Sequence, residues 1–256
     1  MASQLVVHCG GRTVTRDELA TIAAPQPTAT WFPARHIDVL STVEQALDNG
    51  GLKVRRARYA TSKEDARFFA TLDLEDQISE GVGLSIGVRN ANDQSCPRAF
   101  VCGSNVFVCD NLAFFTDMVV LRKHTRFGET RFSEAVSLAV QSMALYKDAE
   151  KNRIEAFRNA DISDMQAESI ILRAFEQGVV NTRQLPGIIK EWREPSFQDF
   201  QPRNAWSLYN DFTTVLNPLA ETRAQKHALL TMQLGALIGK SVGYKAPELI
   251  TEVSDD

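Results

Sequence analysis

Cysteine is scarce in this chain, and so are long apolar runs. Its four cysteines, Cys9, Cys96, Cys102 and Cys109, are few for 256 residues. Nothing in them suggests the dense disulfide framework of a small exported domain, so reduced thiols are expected. Zinc takes four tetrahedral ligands, usually delivered as two close pairs. Cys96, Cys102 and Cys109 stand too far apart for such a knuckle, and the expectation is no metal and no cofactor. No apolar run approaches the roughly 20 residues that a membrane span needs. The first nine residues lack the basic start of a signal peptide, and their apolar run is short for one. The sequence therefore predicts a soluble, cytoplasmic protein with no membrane partner.

Catalytic signatures are missing as well. There is no G-x-S-x-G elbow among the many hydroxyls, and Gly239-Lys240-Ser241 lacks the upstream glycine of a phosphate-binding loop. Net charge is -4, which speaks against a basic coat over the whole molecule but leaves room for a local basic patch.

What is present is a change of period along the chain. Thr15 and Glu18 have capping-box spacing at a helix start. Ile37, Leu40, Val43 and Leu47 recur at helical spacing, and Asn49-Gly50-Gly51 ends that helix. A short strand is expected at 5–8. The middle is rich in β-branched and aromatic residues, and strands are expected at 53–59, 67–74, 82–88, 99–102, 106–109 and 118–121. Helix competes for 111–120, where Leu112, Phe115 and Val119 share a face. Beyond Gly128 the chain reads as helical: one long helix through Phe132, Val136, Val140, Met143 and Tyr146, then shorter ones at 165–175, 182–192, 205–215 and 221–238. Prolines 186, 195, 202, 218 and 247 mark boundaries. The fold class is α+β: a largely antiparallel sheet over about residues 52–124, packed with a mostly helical C-terminal half. A single domain is expected over 1–247, with N-terminal helices at 14–48 and a helical region at 129–241. The acidic tail, 248–256, is expected to be disordered.

Two basic stretches carry the main functional signal. Lys53, Arg55, Arg56 and Arg58 load one strand; Arg122, Lys123, His124, Arg126 and Arg131 follow another, with Tyr59 and Phe127 close in sequence. Cations interleaved with aromatics suit a single strand of nucleic acid, because cations meet phosphate and rings stack on bases. These residues are expected to share one face of the sheet; edge protection of the sheet by Lys and Arg is the plainer reading. A second signal is acidic. Asp73 and Glu75 alternate near a strand end, with Asp76 and Glu80 beyond, and a carboxylate pair of this kind can hold magnesium beside a phosphate. With His124 this gives the alternative of a metal-dependent phosphodiester hydrolase, although solvated loop charge explains the same residues. A third reading takes Leu229, Leu230, Leu234, Leu237 and Ile238 as a docking face of an interaction or anti-defence protein, against the ordinary reading of a helix buried in the core.

Three segments in order resemble one family. They are Gly83-Leu84-Ser85-Ile86-Gly87-Val88-Arg89-Asn90-Ala91-Asn92-Asp93; Val106-Phe107-Val108-Cys109-Asp110-Asn111-Leu112 followed by Lys123-His124-Thr125; and Ala205-Trp206-Ser207-Leu208-Tyr209-Asn210-Asp211-Phe212-Thr213. The set is similar to the phage/plasmid-like proteins called domain of unknown function 932, over about residues 80 to 240. The resemblance implies a protein carried by mobile elements, often beside recombination or anti-restriction genes, with no established activity. It marks Asn90, Cys109, Asn111, His124, Thr125, Trp206, Tyr209, Asn210 and Thr213 as motif residues. Together with the basic stretches it gives the preferred expectation: a non-enzymatic nucleic-acid-binding or recombination accessory.

Overall fold

The computed structural model describes residues 11–106, 111–222 and 224–245. The strand expected at 5–8, Cys9, residues 107–110 and the acidic tail lie outside this set. The protein is α+β, as the sequence predicts. Six strands form one antiparallel sheet in sequential order: β1 (Arg12–Thr13), β2 (Val54–Ser62), β3 (Arg67–Ser79), β4 (Val82–Ala91), β5 (Arg98–Val106) and β6 (Asn111–Arg122). Short connections dictate the β2–β6 meander, since only antiparallel neighbours can be joined by tight turns, while β1 joins β2 by way of two helices. Gly81, at φ +73°, supplies the left-handed residue of the β3–β4 turn.

Eight α-helices surround the sheet among the described residues. They are α1 (Arg16–Thr21), α2 (His36–Asn49), α3 (Gly128–Gln141), α4 (Met143–Asn159), α5 (Asp164–Glu176), α6 (Leu185–Arg193), α7 (Ala205–Thr222) and α8 (Ala224–Ser241). The capping box at Thr15 is made: its hydroxyl accepts from Glu18 N at 3.2 Å, and Glu18 accepts from Thr15 N at 2.7 Å. Ser163 and Gln166 repeat the device at α5.

Register explains the core. Ala70, Val88, Phe100 and Val120 are opposite one another across β3 to β6, so they lie on one face, and all are buried. Leu72, Ile86 and Cys102 form the next buried row. They join Leu40, Val43 and Leu47 of α2 and Phe132 and Val136 of α3 in one continuous apolar core. α7 and α8 pack against β6, and α4 packs against β3 and α7.

Several expectations need correction. The strand expected at 99–102 runs on to Val106: Gly103, Ser104 and Asn105 have turn chemistry, yet they pair in register with Ser85, Leu84 and Gly83, while the rest of the strand expected at 106–109 lies outside the described residues. Residues 111–120 are strand, because pairing with β5 outweighs the helical spacing. The single long helix is interrupted at Ser142, between α3 and α4. α6 begins at Leu185, with Pro186 in its first turn, where a missing N–H costs nothing. α7 runs through Pro218 instead of ending there. Of the five residues considered as a docking face on α8, Leu230, Leu234, Leu237 and Ile238 are core, and Leu229 alone is exposed. No helix is long and apolar enough to cross a membrane among the described residues.

Candidate functional site

Where β6 ends, five residues turn the chain into α3. The turn is tight: Thr125 N donates to Lys123 O at 2.9 Å and Gly128 N to Thr125 O at 3.0 Å. Gly128 is required here, since a Cβ would stand 2.3 Å from the Lys123 carbonyl oxygen. The turn pushes its side chains outward except that of His124, which is buried. Lys123, Thr125 and Arg126 are exposed, Phe127 is 63% exposed, and Arg131 is exposed one turn into α3. Among the described residues no acid pairs with Lys123, Arg126 or Arg131, whereas several basic groups elsewhere are paired, such as Arg12, Arg16, Arg67 and Lys147. An aromatic ring in water, flanked by unneutralised cations, makes this corner a candidate anion-binding surface.

Beneath the turn lies a buried polar chain. His36 Nε2–H donates to Asp65 O at 2.8 Å, which leaves Nδ1 to accept from Asn90 Nδ2 at 2.9 Å. Asn90 Nδ2 also donates to Ala34 O at 2.9 Å, and Asn90 Oδ1 accepts from His124 Nε2–H at 2.8 Å. The bonding pattern thus assigns both tautomers. Burial pushes both imidazoles down, His124 to about 4 with help from the Arg98 and His36 charges. Two neutral, buried rings joined by an amide offer no group to a substrate. Their effect is to tie the 31–36 segment, β4, the β2–β3 turn and the β6–α3 turn together. That β2–β3 turn is strained, with Lys63, Glu64 and Asp65 all at positive φ. Arg12 and Thr61 hold Asp65 in place, and its carbonyl thereby reaches His36.

Arg98 belongs to the same layer. It is opposite Arg122 in the ladder and 2% exposed. Its Nη2 donates to Phe32 O at 3.0 Å. Its Nε and Nη1 have no hydrogen-bond partner among the described residues.

The first basic stretch takes a different place. β2 and β6 are four strand spacings apart, about 19 Å measured along the sheet. Arg56 Nε donates to Asp73 at 2.7 Å, and Arg58 Nη2 approaches the same oxygen at 3.4 Å. Arg55 is the extra residue of a β-bulge and, like Lys53, is exposed. The expected single basic face is corrected: Lys53, Arg55, Arg56 and Arg58 belong to the β2 end of the sheet, and Arg56 and Arg58 hold a carboxylate. Arg58 lies in the row of Thr71, Gly87, Val101 and Val119 and so on the face opposite Val120 and Arg122. Arg122 is half-buried, with Nη1 bonded to Leu121 O at 3.0 Å, and His124 is buried.

The carboxylates also separate. Asp73 is buried and accepts from Ser85 Oγ at 2.6 Å and Asn105 Nδ2 at 3.3 Å besides its arginines. Burial pushes its pKa up, but the Ser85 hydroxyl, Arg58 and Arg56 together hold it below the usual range. Glu75 and Glu80 are exposed, and Asp76 pairs with Lys147 at 2.7 Å. No group of three or more His, Cys, Asp or Glu gathers to hold a metal among the described residues. Cys102 is fully buried, Cys96 is half-buried, and Cys109 falls outside the described set.

Among the motif residues, Asn90 and His124 meet directly, while Thr125 is exposed above them. Asn210 and Thr213 are buried in α7 and bond within it, Asn210 Nδ2 to Trp206 O at 2.9 Å and Thr213 Oγ1 to Asn210 O at 3.0 Å. Trp206 and Tyr209 stack at 6.0 Å in the core. Asn111 opens β6, and its side chain is outside the described set. Sequence reasoning missed His36, whose position at the head of a periodic helix made it look like one more core residue, and Arg98, a single cation after Cys96-Pro97. No family model matches the chain, and neither does any curated protein or solved structure.

Proposed function

We propose that the protein is a non-enzymatic nucleic-acid-binding accessory of a mobile element, and that it holds a single strand at the β6–α3 corner. The observation that carries this reading is the exposed Phe127 ring among Lys123, Arg126 and Arg131, none of which is paired with an acid among the described residues. Cations of this kind neutralise phosphates and release counterions, and a water-exposed ring stacks on an unpaired base. The resemblance to the phage/plasmid-like family supports the mobile-element setting. The hydrolase alternative loses support, because Asp73 is enclosed by Arg56, Arg58, Ser85 and Asn105 while Glu75 faces water.

Fluorescence polarisation with a short single-stranded DNA at low salt tests the reading. Lys123→Ala/Arg126→Ala/Arg131→Ala should weaken binding strongly and reduce the salt slope by roughly 2 to 3. Phe127→Ala should lose about 1–3 kcal/mol on single strands and less on duplex. An absence of binding at micromolar protein, or a triple variant that binds like the wild type, would overturn it.

A further inference from the structure

Arg98 poses an electrostatic problem that the fold alone does not answer. Its guanidinium is nine-tenths and more buried, and two of its nitrogens lack partners among the described residues. Nη1 lies 2.9 Å from the place a Cβ of Gly128 would occupy, so the group points at the first residue of α3. A helix N-terminus carries about half a positive charge. A buried cation aimed at it therefore sets like polarity against like. The compensating acid is Glu129, exposed in the first turn, which acts on Arg98 through space and forms no ion pair with it.

The end of α3 is also left open. Phe127, its N-cap residue, makes no side-chain cap, and the first backbone bond from α3 back to its cap runs from Arg131 N to Phe127 O at 3.1 Å. The Glu129 and Thr130 amides are then among the orphan donors of the first turn. Thr125 Oγ1 stands on the same side, 3.3 Å from the Gly128 Cβ position. Lys123 and Arg126 are exposed on the preceding turn. Buried positive charge below, free amides at the helix end and exposed cations above describe a seat for a tetrahedral oxyanion.

We propose that the N-terminus of α3, backed by Arg98, is a phosphate-binding subsite. The phosphate sits on the outer side of the first turn, taking the Glu129 and Thr130 amides. Arg98 is a positioning residue that supplies charge from beneath the 123–127 turn. The inference deepens the nucleic-acid reading and rests on it only for the source of the phosphate, a phosphodiester in a strand instead of the free ion.

The test is a titration of the full-length chain, labelled with 15N, with inorganic phosphate at constant ionic strength, and in parallel with a short single-stranded DNA. Saturable shifts of the Glu129 and Thr130 amides on adding phosphate are expected. Arg98→Gln should weaken phosphate binding about tenfold or more, as for loss of a charged partner, and Arg98→Lys should restore part of it. Should Arg98→Gln not fold, Glu129→Gln serves, since it removes the one opposing carboxylate at an exposed position and should tighten phosphate severalfold. Phosphate binding without DNA binding would keep the subsite and remove the nucleic-acid reading. DNA binding with unmoved Glu129 and Thr130 amides, or phosphate affinity indifferent to Arg98→Gln or, where that variant does not fold, to Glu129→Gln, would overturn the subsite.

Discussion

Asn90 makes three hydrogen bonds with one amide, to His36, to His124 and to the Ala34 carbonyl. Asn90→Ala would leave both imidazoles short of a partner in a buried layer. We expect a loss of roughly 2–4 kcal/mol in urea unfolding. The same layer sets an acid limit. Both imidazoles are depressed in the fold, so their stabilising share is complete above about 6.5, their unfolded value. It is lost as pH falls from there toward about 4, the value for His124. Asp211 sets the opposite limit. It is buried in α7, neither carboxylate oxygen has a partner among the described residues, and burial with the nearby Glu191 charge pushes it up to about 8. Arg203, which would offset this, already donates to Asp164 and the Trp192 carbonyl. A raised acid stabilises fully below about 3.8 and loses that share as pH climbs to about 8. Asp211→Asn should therefore gain roughly 2–4 kcal/mol over the wild type at pH 8 in urea unfolding, with the gap shrinking toward pH 5. A gap independent of pH would show that Asp211 is ionised in the fold.

At the scale of elements, the β6–α3 corner depends on one missing side chain. Gly128→Ala would drive a Cβ into the Lys123 carbonyl, a backbone atom that cannot swing aside. We expect a cost of about 1–3 kcal/mol by thermal unfolding, as for overpacking, and a smaller cost at Gly187, where the near atoms belong to the Val215 side chain at 3.3 Å. The sequence made some of this layer legible. Thr15 and Glu18 announced α1, and the Ile37–Leu40–Val43–Leu47 spacing announced α2, because local hydrogen bonds and period carry those elements. Gly103-Ser104-Asn105 hid the middle of β5, since turn-type residues were held extended by their partners on β4, which no local pattern reveals. The corner was half visible: Lys123, Arg126 and Phe127 announced themselves by charge and ring, while Arg98 and His36 acquired meaning only when register and packing brought them under that turn. The shared face expected of Arg55, Arg58, Arg122 and Arg126 failed because register, a property of the whole sheet, puts Arg58 in the row of Thr71, Gly87, Val101 and Val119, while Arg122 alternates onto the face of Val120.

For the molecule as a whole, the question is whether the helical half could come away from the sheet. Lys147 of α4 pairs with Asp76 of β3 at 2.7 Å, and Arg158 of α4 donates to Glu80 O in the β3–β4 turn at 2.8 Å. Arg153 pairs with buried Glu150 at 2.6 Å and lies over the rings of Phe157 and Tyr209, joining α4 to α7. α7 and α8 in turn cover β6, and the apolar core runs through both halves without a break. Such continuity predicts one cooperative unit. The three tryptophans allow the test: Trp31 lies 6.3 Å from His124, whereas Trp192 bonds Asp164 and Trp206 stacks on Tyr209 in the helical half. Fluorescence of Trp192→Phe/Trp206→Phe reports the first region and that of Trp31→Phe the second. Each variant's own fluorescence midpoint in urea should coincide with its far-ultraviolet circular dichroism midpoint. A tryptophan signal that changes well before the circular dichroism would mean that the helices detach first, and that Arg153, Arg158 and Lys147 bind too weakly to hold them.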